Sequence, residues 1–139
     1  MIYGIGTDVV QVDRIQKLYD RHGERFVQRL LLPQENAVFR RHSRPARFLA
    51  MRFAAKEAIV KAMGTGFSHG MWIRDCGVAP DALGKPEIIW SARGRERCEQ
   101  LGIGEGHVTL TDEAGLAVAV VVLMRGKADS GQRTADSSE

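Results

Sequence analysis

The chain has 139 residues, of which 44% are apolar and 27% are charged, and its formal net charge is +3 at pH 7. That length and apolar content suit a single domain with a buried core. No apolar run is long enough to cross a bilayer, and the first residues lack the features of a secretory signal. Cys76 and Cys98 have no metal-type spacing, so we expect free thiols in a cytoplasmic protein with no membrane partner.

The positive charge is concentrated in the first third of the chain. Residues 14 to 52 contain ten lysines or arginines and three acidic residues. This imbalance predicts an anionic partner, which could be a nucleic acid, an acidic protein or a phosphorylated small molecule. For any single arginine, a solvated helix surface is the simpler explanation. Aromatic residues are only 6% of the chain, which disfavours a nucleic-acid-binding surface that stacks bases.

Residues 2 to 10 (IYGIGTDVV) are prone to form a strand, and their two glycines allow another backbone to approach closely. Asp8 lies inside this run. Aspartate is depleted in strands and rarely buried unless it is paired or bound to a metal, so Asp8 is a candidate functional residue. The alternative is a turn aspartate that caps the following helix.

Three short helices are expected next. The first runs from Asp13, its predicted cap, to His22; the second covers Glu24 to Leu31; the third covers residues 34 to 42. On the first helix, Arg14 and Arg21 are seven residues apart and lie on nearly one line.

A long helix follows, from near residue 44 to the residue before Gly64, with Ser43 as its predicted cap. One apolar stripe is expected to face the core, formed by Phe48, Met51, Ala55, Ile59 and Ala62. Glu57 points away from that stripe, and Lys61 lies one turn further along the same line. Taken alone, these two residues are typical of an exposed surface pair.

The rest of the chain alternates between strands and one helix. Strands are expected at residues 71–78, 86–90, 107–111 and 116–123, and a helix at 91–101. The run from Leu116 to Leu123 is apolar on both faces, as in a central strand or one covered by another subunit. We therefore predict an α+β fold in which an antiparallel sheet packs against a long central helix and several short helices. Residues 125 to 139 are polar and are expected to form a disordered tail.

Asp8, Glu57 and Lys61 together have the chemistry of a magnesium site. Two carboxylates from different elements suit Mg²⁺ when substrate phosphate oxygens and water supply the remaining ligands. A nearby lysine suits the phosphate. The residue types do not establish that the three side chains meet, and His107 is a further candidate.

Four stretches resemble the holo-[acyl-carrier-protein] synthase family. They are residues 4–10 (GIGTDVV) with Arg14 and Ile15, residues 52–66 (RFAAKEAIVKAMGTG), residues 84–86 (GKP) and residues 107–111 (HVTLT). Their order and spacing also agree, so the likeness covers about residues 2 to 124. It assigns residues 1 to 124 to one phosphopantetheinyl transferase domain.

The resemblance implies transfer of 4′-phosphopantetheine from coenzyme A to a serine of an apo acyl carrier protein, with release of adenosine 3′,5′-bisphosphate, in support of fatty acid biosynthesis. It implies Mg²⁺ as the cofactor, with Asp8 and Glu57 as its ligands. Lys61 would act beside the reacting phosphate. The residues expected to bind coenzyme A, in a cleft between the subunits of a homotrimer, are Lys61, Gly64, Arg52, Lys85, Pro86 and His107.

The resemblance also implies that the acidic carrier protein docks on the first helix through Arg14 and Arg21, with Arg25 just beyond. One position departs from the family pattern, because Asp112 stands where many members have histidine, and no role is transferred to it. Two alternatives stay open: another magnesium-dependent phosphate-ester enzyme, such as a phosphatase, and a non-enzymatic nucleic-acid-binding module.

Overall fold

A computed structural model describes residues 1–127 of the chain. It contains five strands and five helices within that range: β1 (Ile2–Gln11), α1 (Val12–His22), α2 (Glu24–Leu30), α3 (Pro33–Phe39), α4 (Pro45–Met63), β2 (Cys76–Pro80), β3 (Pro86–Trp90), α5 (Ala92–Leu101), β4 (Ile103–Glu113) and β5 (Leu116–Arg125). A short 3-10 turn, Ile73–Asp75, precedes β2. The predicted α+β class is confirmed.

The strands form two antiparallel sheets. The larger sheet has the order β1-β5-β4, and β2 pairs with β3 in a separate ribbon. The apolar strand β5 is therefore central, as its sequence predicts. In the register of the larger sheet, Asp8 of β1 lies opposite Ala119 of β5. The turn between β4 and β5 contains Ala114 and Gly115, both with positive φ.

Helix α4 packs across the larger sheet and forms the centre of the molecule. The prediction of one apolar stripe on α4 is wrong, because buried residues occupy nearly every side of the helix. They include two charged residues, Arg52 and Lys56. The sheet covers one side of α4 while helix α1, helix α3 and strand β2 cover others. Gly64 ends the helix in the left-handed conformation (φ 82°), as predicted.

Several predicted boundaries and caps are wrong. Neither Asp13 nor Ser43 caps a helix: α1 follows Gln11 directly, and Arg44 precedes α4, with no side-chain cap at either position. The backbone N–H of Val12 instead donates to the carbonyl oxygen of Gly115. Strand β2 begins five residues later than expected, since the carboxylate of Asp75 accepts from the Trp72 N–H at 2.9 Å and closes a turn there.

The described chain ends close to where it begins. Strand β5 continues to Arg125, whose N–H donates to the carbonyl oxygen of Met1, so the domain extends at least one residue beyond the predicted boundary at 124. Residues 128 to 139 of the predicted tail lie outside the described residues. Cys76 and Cys98 are free and buried, and burial raises the pKa of these thiols to about 12 and about 11. Within residues 1–127, no helix combines the length and apolar character needed to span a membrane.

Candidate active site

The site begins where β1 lies directly against α4. A methyl group at Gly4 would collide with the carbonyl oxygen of Ala62, and one at Gly6 with that of Ala58. The two backbones touch because these glycines have no side chains. Asp8 is two residues beyond Gly6 on the same strand, and this contact brings it level with the last turns of α4.

Lys61 joins the helix to the strand. Its Nζ lies 3.0 Å from Asp8 Oδ1 and donates to the carbonyl oxygen of Thr7 at 3.1 Å. The Asp8 side chain is 18% exposed and that of Lys61 is 51% exposed, so the pair is at the edge of the protein and not inside it. Among residues 1 to 127, Lys61 pairs with Asp8 and not with Glu57, so the surface pair considered from the sequence is not formed.

Glu57 faces the same place from α4. Burial raises the pKa of its carboxyl group, and the negative charge of Asp8 raises it further, whereas the positive charges of Lys61 and Arg14 lower it. The Asp8–Lys61 contact and the charges that act on Glu57 place these three residues at one end of the contact between β1 and α4, with Arg14 in electrostatic range. Two carboxylates that repel each other in a partly buried site are suited to hold a divalent cation between them.

The protein supplies only part of a coordination shell. In the described part of the chain, no group of three or more His, Cys, Asp or Glu residues could hold a metal ion. Asp8 and Glu57 would therefore need oxygen atoms from substrate and water, which is how Mg²⁺ is commonly held in enzymes that act on phosphates. The donor set fits Mg²⁺ and does not fit a zinc site with three or four protein ligands.

The residues expected to bind coenzyme A fall into separate places. Gly64 is three residues beyond Lys61, at the end of α4. Lys85, Pro86 and His107 line a different cavity of about 530 Å³ between β3 and β4. The side chain of His107 is 57% exposed there, with Nε2 4.0 Å from Glu105. Asp8, Glu57 and Lys61 do not line this cavity. Within a single chain, Gly64 and Lys61 therefore lie apart from Lys85, Pro86 and His107.

Arg52 lies on another side of α4. It is 8% exposed, its guanidinium stacks 4.3 Å from the centre of the Phe48 ring, and its Nε is 3.8 Å from Glu35. Burial lowers its pKa. It also lines a cavity of about 190 Å³ with Arg47 and His42. Because Arg52 is two and a half turns from Lys61, it does not join the Asp8 cluster. Contact between Arg52 and coenzyme A stays a prediction, and the position of Arg52 away from the Asp8 cluster does not support it.

The predicted docking residues are exposed. Arg14 and Arg21 lie on α1, and Arg25 lies at the start of α2. Helix α1 is fixed beneath them by Ile15, which is completely buried. Arg25 also borders a groove of about 560 Å³ with Arg29, Trp72 and Arg74. At Arg14, Arg21 and Arg25, the basic first third predicted from the sequence therefore presents its charge on a surface.

Asp112 has a clear partner. Arg47 binds it with two hydrogen bonds, from Nε at 2.8 Å and from Nη2 at 2.6 Å. The hydrogen bond from Arg47 is the main cause that lowers the pKa of Asp112. This pair ties the start of α4 to the end of β4. No local pattern in the sequence predicts this contact.

A second pair was missed altogether. Glu35 of α3 and Lys56 of α4 form a completely buried salt bridge of 2.7 Å. Glu35 is 21 residues from Lys56, and nothing in the local pattern of either helix predicts their contact. The available signal was a lysine next to Glu57 on a helix whose neighbouring residues are mostly alanine.

A sequence model of the 4′-phosphopantetheinyl transferase superfamily matches residues 4–121. The holo-[acyl-carrier-protein] synthase of Halorhodospira halophila is 49% identical over 126 residues, which cover 91% of this chain and 100% of that protein. The chain belongs to the holo-[acyl-carrier-protein] synthase family. The synthase of Yersinia pestis is 45% identical over 122 residues, covering 88% of this chain and 97% of that protein.

Solved structures agree with this membership. The holo-[acyl-carrier-protein] synthase of Neisseria meningitidis superposes with a TM-score of 0.85 at 41% identity, covering 90% of this chain and 100% of that one. The Helicobacter pylori synthase, solved in complex with coenzyme A, has a TM-score of 0.76 at 29% identity and covers 86% and 99%. The resemblance read from the motifs is confirmed, and the chain is an enzyme of this family.

Proposed function

We propose that this enzyme transfers 4′-phosphopantetheine from coenzyme A to a serine hydroxyl of an apo acyl carrier protein. The reaction uses Mg²⁺, releases adenosine 3′,5′-bisphosphate and supports fatty acid biosynthesis in the cytoplasm. The convergence of Asp8, Glu57 and Lys61 is the observation that carries the proposal. Two relatives add support: the Helicobacter pylori synthase binds coenzyme A, and the Bacillus anthracis synthase was solved with CoA (3′,5′-ADP).

Asp8 and Glu57 would hold the magnesium ion. When bound, Mg²⁺ would neutralise charge on the diphosphate of coenzyme A. The pKa of Glu57 is raised by burial and by the negative charge of Asp8, and a cation held by these two residues would offset the second effect. The carboxylate of Asp8 accepts a hydrogen bond from Lys61, so a metal ion would compete with Lys61 for that carboxylate.

Lys61 supplies the second cation of the site. Its side chain is half exposed and reaches Asp8 from the helix, so its ammonium group can turn towards a phosphate bound at the same edge. Attack by the serine hydroxyl spreads negative charge over the phosphoryl oxygens, and a fixed cation stabilises that charge.

The serine proton needs an acceptor. We assign this task to Glu57 or Asp8, acting through a nearby water molecule, because a carboxylate that directly binds a metal is a weak base. Neither residue needs to move far, since both border the site.

Coenzyme A would bind between subunits of a homotrimer. Lys61 and Gly64 lie in one place of the chain, whereas Lys85, Pro86 and His107 line another, so a neighbouring subunit can bring the two groups together. The larger sheet supports this assembly because it exposes apolar residues: Ile5 is 62% exposed, Val9 56% and Val120 38%. Such a patch is typical of a protein interface.

The acidic carrier protein would dock on α1 and the start of α2. Arg14, Arg21 and Arg25 are exposed there, and Arg14 is close enough to Glu57 to lower its pKa. A carrier bound through Arg14 would therefore place its serine beside the site. The phosphatase alternative leaves these arginines without a role, and we propose no nucleic-acid partner.

The direct test is mass spectrometry of an apo carrier protein incubated with the enzyme, coenzyme A and magnesium. The carrier should gain the mass of one phosphopantetheine group. A carrier whose acceptor serine is replaced by alanine should gain nothing, and chelation of divalent metal should stop the reaction. An unmodified wild-type carrier after prolonged incubation would refute the proposal.

A further inference from the structure

A salt bridge between Glu35 and Lys56 lies inside the protein, beside the candidate site. Both side chains have no exposed area, and Lys56 Nζ lies 2.7 Å from Glu35 Oε1. Nζ also donates to the carbonyl oxygen of Cys76 at 2.5 Å. These directional contacts join α4 to both α3 and β2.

The carboxylate of Glu35 is itself held in place by backbone groups. Oε1 accepts from the N–H of Leu32 and Oε2 from the N–H of Val78, both at 2.9 Å. Gly77 provides the space, because a Cβ atom there would lie only 2.5 to 2.7 Å from the carboxylate. Lys56 therefore binds to a group that cannot easily move.

Stability alone is a weak reason for such a pair. Removing two charges from water costs several kcal/mol per ion, and apolar residues of similar volume often stabilise a core equally well. What an ion pair adds is direction, because its hydrogen bonds specify one arrangement where apolar contacts accept many.

We propose that the Glu35–Lys56 pair is a positioning device that fixes the rotation of α4 about its axis and so directs Glu57 towards Asp8. This inference rests on the function proposed above. Lys56 and Glu57 are consecutive, so their side chains leave the helix about 100° apart. Fixing one side chain in the interior fixes the direction of the other at the site.

Small rotations would matter. A side-chain group about 5–6 Å from a helix axis moves by about 1 Å when the helix turns by about 10°. A misplacement of about 1 Å can cost a factor of about 10² in rate. The contact with β1 sets the distance of α4 from the strand, through Gly4 and Gly6. The α4 residues that face these glycines are Ala58 and Ala62, whose short side chains do little at this contact to fix the rotation of the helix.

The test compares Lys56→Met with the wild-type enzyme. The variant should fold, because Arg52 Nε is buried, lacks a hydrogen-bond partner and lies 3.8 Å from Glu35, where it can pair with the carboxylate. We expect kcat per folded molecule to fall at least tenfold and the apparent magnesium constant to rise. The KM for carrier protein should stay unchanged, because α1 is not altered. Electron paramagnetic resonance of Mn²⁺ with coenzyme A should show weaker metal binding without any turnover.

Cys98→Ala is the matched control. Cys98 is 5% exposed and lies on α5, so its truncation lowers the melting temperature without touching α4. At equal loss of melting temperature, the control should keep wild-type kcat and Mn²⁺ affinity. If kcat and Mn²⁺ affinity fall no further in Lys56→Met than in this control, the Glu35–Lys56 pair is only structural and the inference is wrong.

Gly77→Ala provides a second variant that keeps every charge but displaces the Glu35 carboxylate. It should show the same fall in kcat and Mn²⁺ affinity, and it decides the question if Lys56→Met does not fold. Wild-type enzyme that modifies no carrier protein would refute the proposed function instead. Wild-type transfer combined with control-like behaviour of both variants would refute the positioning role alone.

Discussion

The ammonium group of Lys61 lies 3.0 Å from the carboxylate of Asp8 and links the end of α4 to β1. The pair is partly exposed, so solvent weakens it and little stability depends on it. Its importance is chemical. Asp8 is a candidate metal ligand that is already neutralised by a cation from the protein, and Lys61 is a candidate phosphate ligand that is held by a carboxylate.

Replacing Lys61 should separate these two effects. Lys61→Ala should slow transfer by about 10²-fold because the phosphate loses its fixed cation. The same variant should bind Mn²⁺ more tightly, since Asp8 no longer pairs with the lysine. Lys61→Arg should keep slight activity, because the charge survives but its geometry changes. Lys127→Ala, which removes an exposed lysine elsewhere, is the control. Mild, equal losses in both Lys61 variants would contradict a role at the phosphate.

Removal of either carboxylate should abolish transfer without unfolding the protein. Asp8→Asn and Glu57→Gln change charge and not volume, so neither opens a cavity. We expect kcat to fall by at least about 10²-fold at saturating magnesium, with circular dichroism like that of the wild type. Glu113→Gln, at the exposed β4–β5 hairpin, should have no effect. Wild-type turnover in Asp8→Asn or Glu57→Gln would refute the assignment of Asp8 and Glu57 as magnesium ligands.

The raised pKa of Glu57 predicts an acid limit to activity. Transfer needs its ionised form, so kcat/KM should begin to fall at a higher pH than an ordinary glutamate would cause. Magnesium favours the ionised form and should move this limit to lower pH. The sign for stability is opposite: a raised folded-state pKa contributes stability at low pH that is lost as pH rises through it. NMR titration of the carboxyl groups in the metal-free wild type and in the Asp8→Asn variant would measure how far the pKa of Glu57 is raised and how much of the change is due to Asp8.

Gly6→Ala should damage both stability and activity. Its methyl group would collide with the carbonyl oxygen of Ala58, and neither backbone can yield without moving β1 from α4. We expect a loss of about 1–3 kcal/mol in the free energy of unfolding. Gly126→Ala is the matched control, because a Cβ there meets its nearest atoms at an ordinary 3.7 Å. Equal stability of the two variants would show that the strand and helix are not in close contact.

Charge reversal on α1 should weaken carrier-protein binding. Arg21→Glu should raise the KM for carrier protein, while the KM for coenzyme A should hardly change. The wild-type KM for carrier protein should itself increase with salt. Arg14→Glu should raise that KM too, but it should also raise the pKa of Glu57, so its effect on kcat depends on pH. Lys127→Glu controls for net charge. If only the KM for coenzyme A changes, these arginines belong to the nucleotide site and not to the docking surface.

Local pattern predicted most of the elements, because strand-prone runs, helix formers and glycine stops act within a few residues. It did not predict the helix start at Val12 or the lack of a side-chain cap before Pro45. At Val12, the N–H group that a cap would satisfy is bonded to Gly115, more than 100 residues away in the sequence. Contacts over such separations leave no local signal.

The same reason explains what was found and missed at the site. Asp8, Glu57 and Lys61 were identifiable because their residue types are unusual in their surroundings or match a family motif. The partner of Lys61 was not identifiable, since helix spacing indicated Glu57 and tertiary packing supplied Asp8. No local pattern singles out Glu35 or Lys56, and only the packing of α3, β2 and α4 shows that they are buried.

The glycine contacts between β1 and α4 have a consequence for protein engineering. Because the main chains of strand and helix touch at Gly4 and Gly6, atomic radii of the backbone determine their separation. Side chains elsewhere in the interior can then be exchanged for thermostability without changing how far Asp8 stands from the helix. A library that keeps both glycines constant, together with Glu35, Lys56 and Gly77, and varies the remaining interior positions should yield many heat-resistant variants that still turn over substrate.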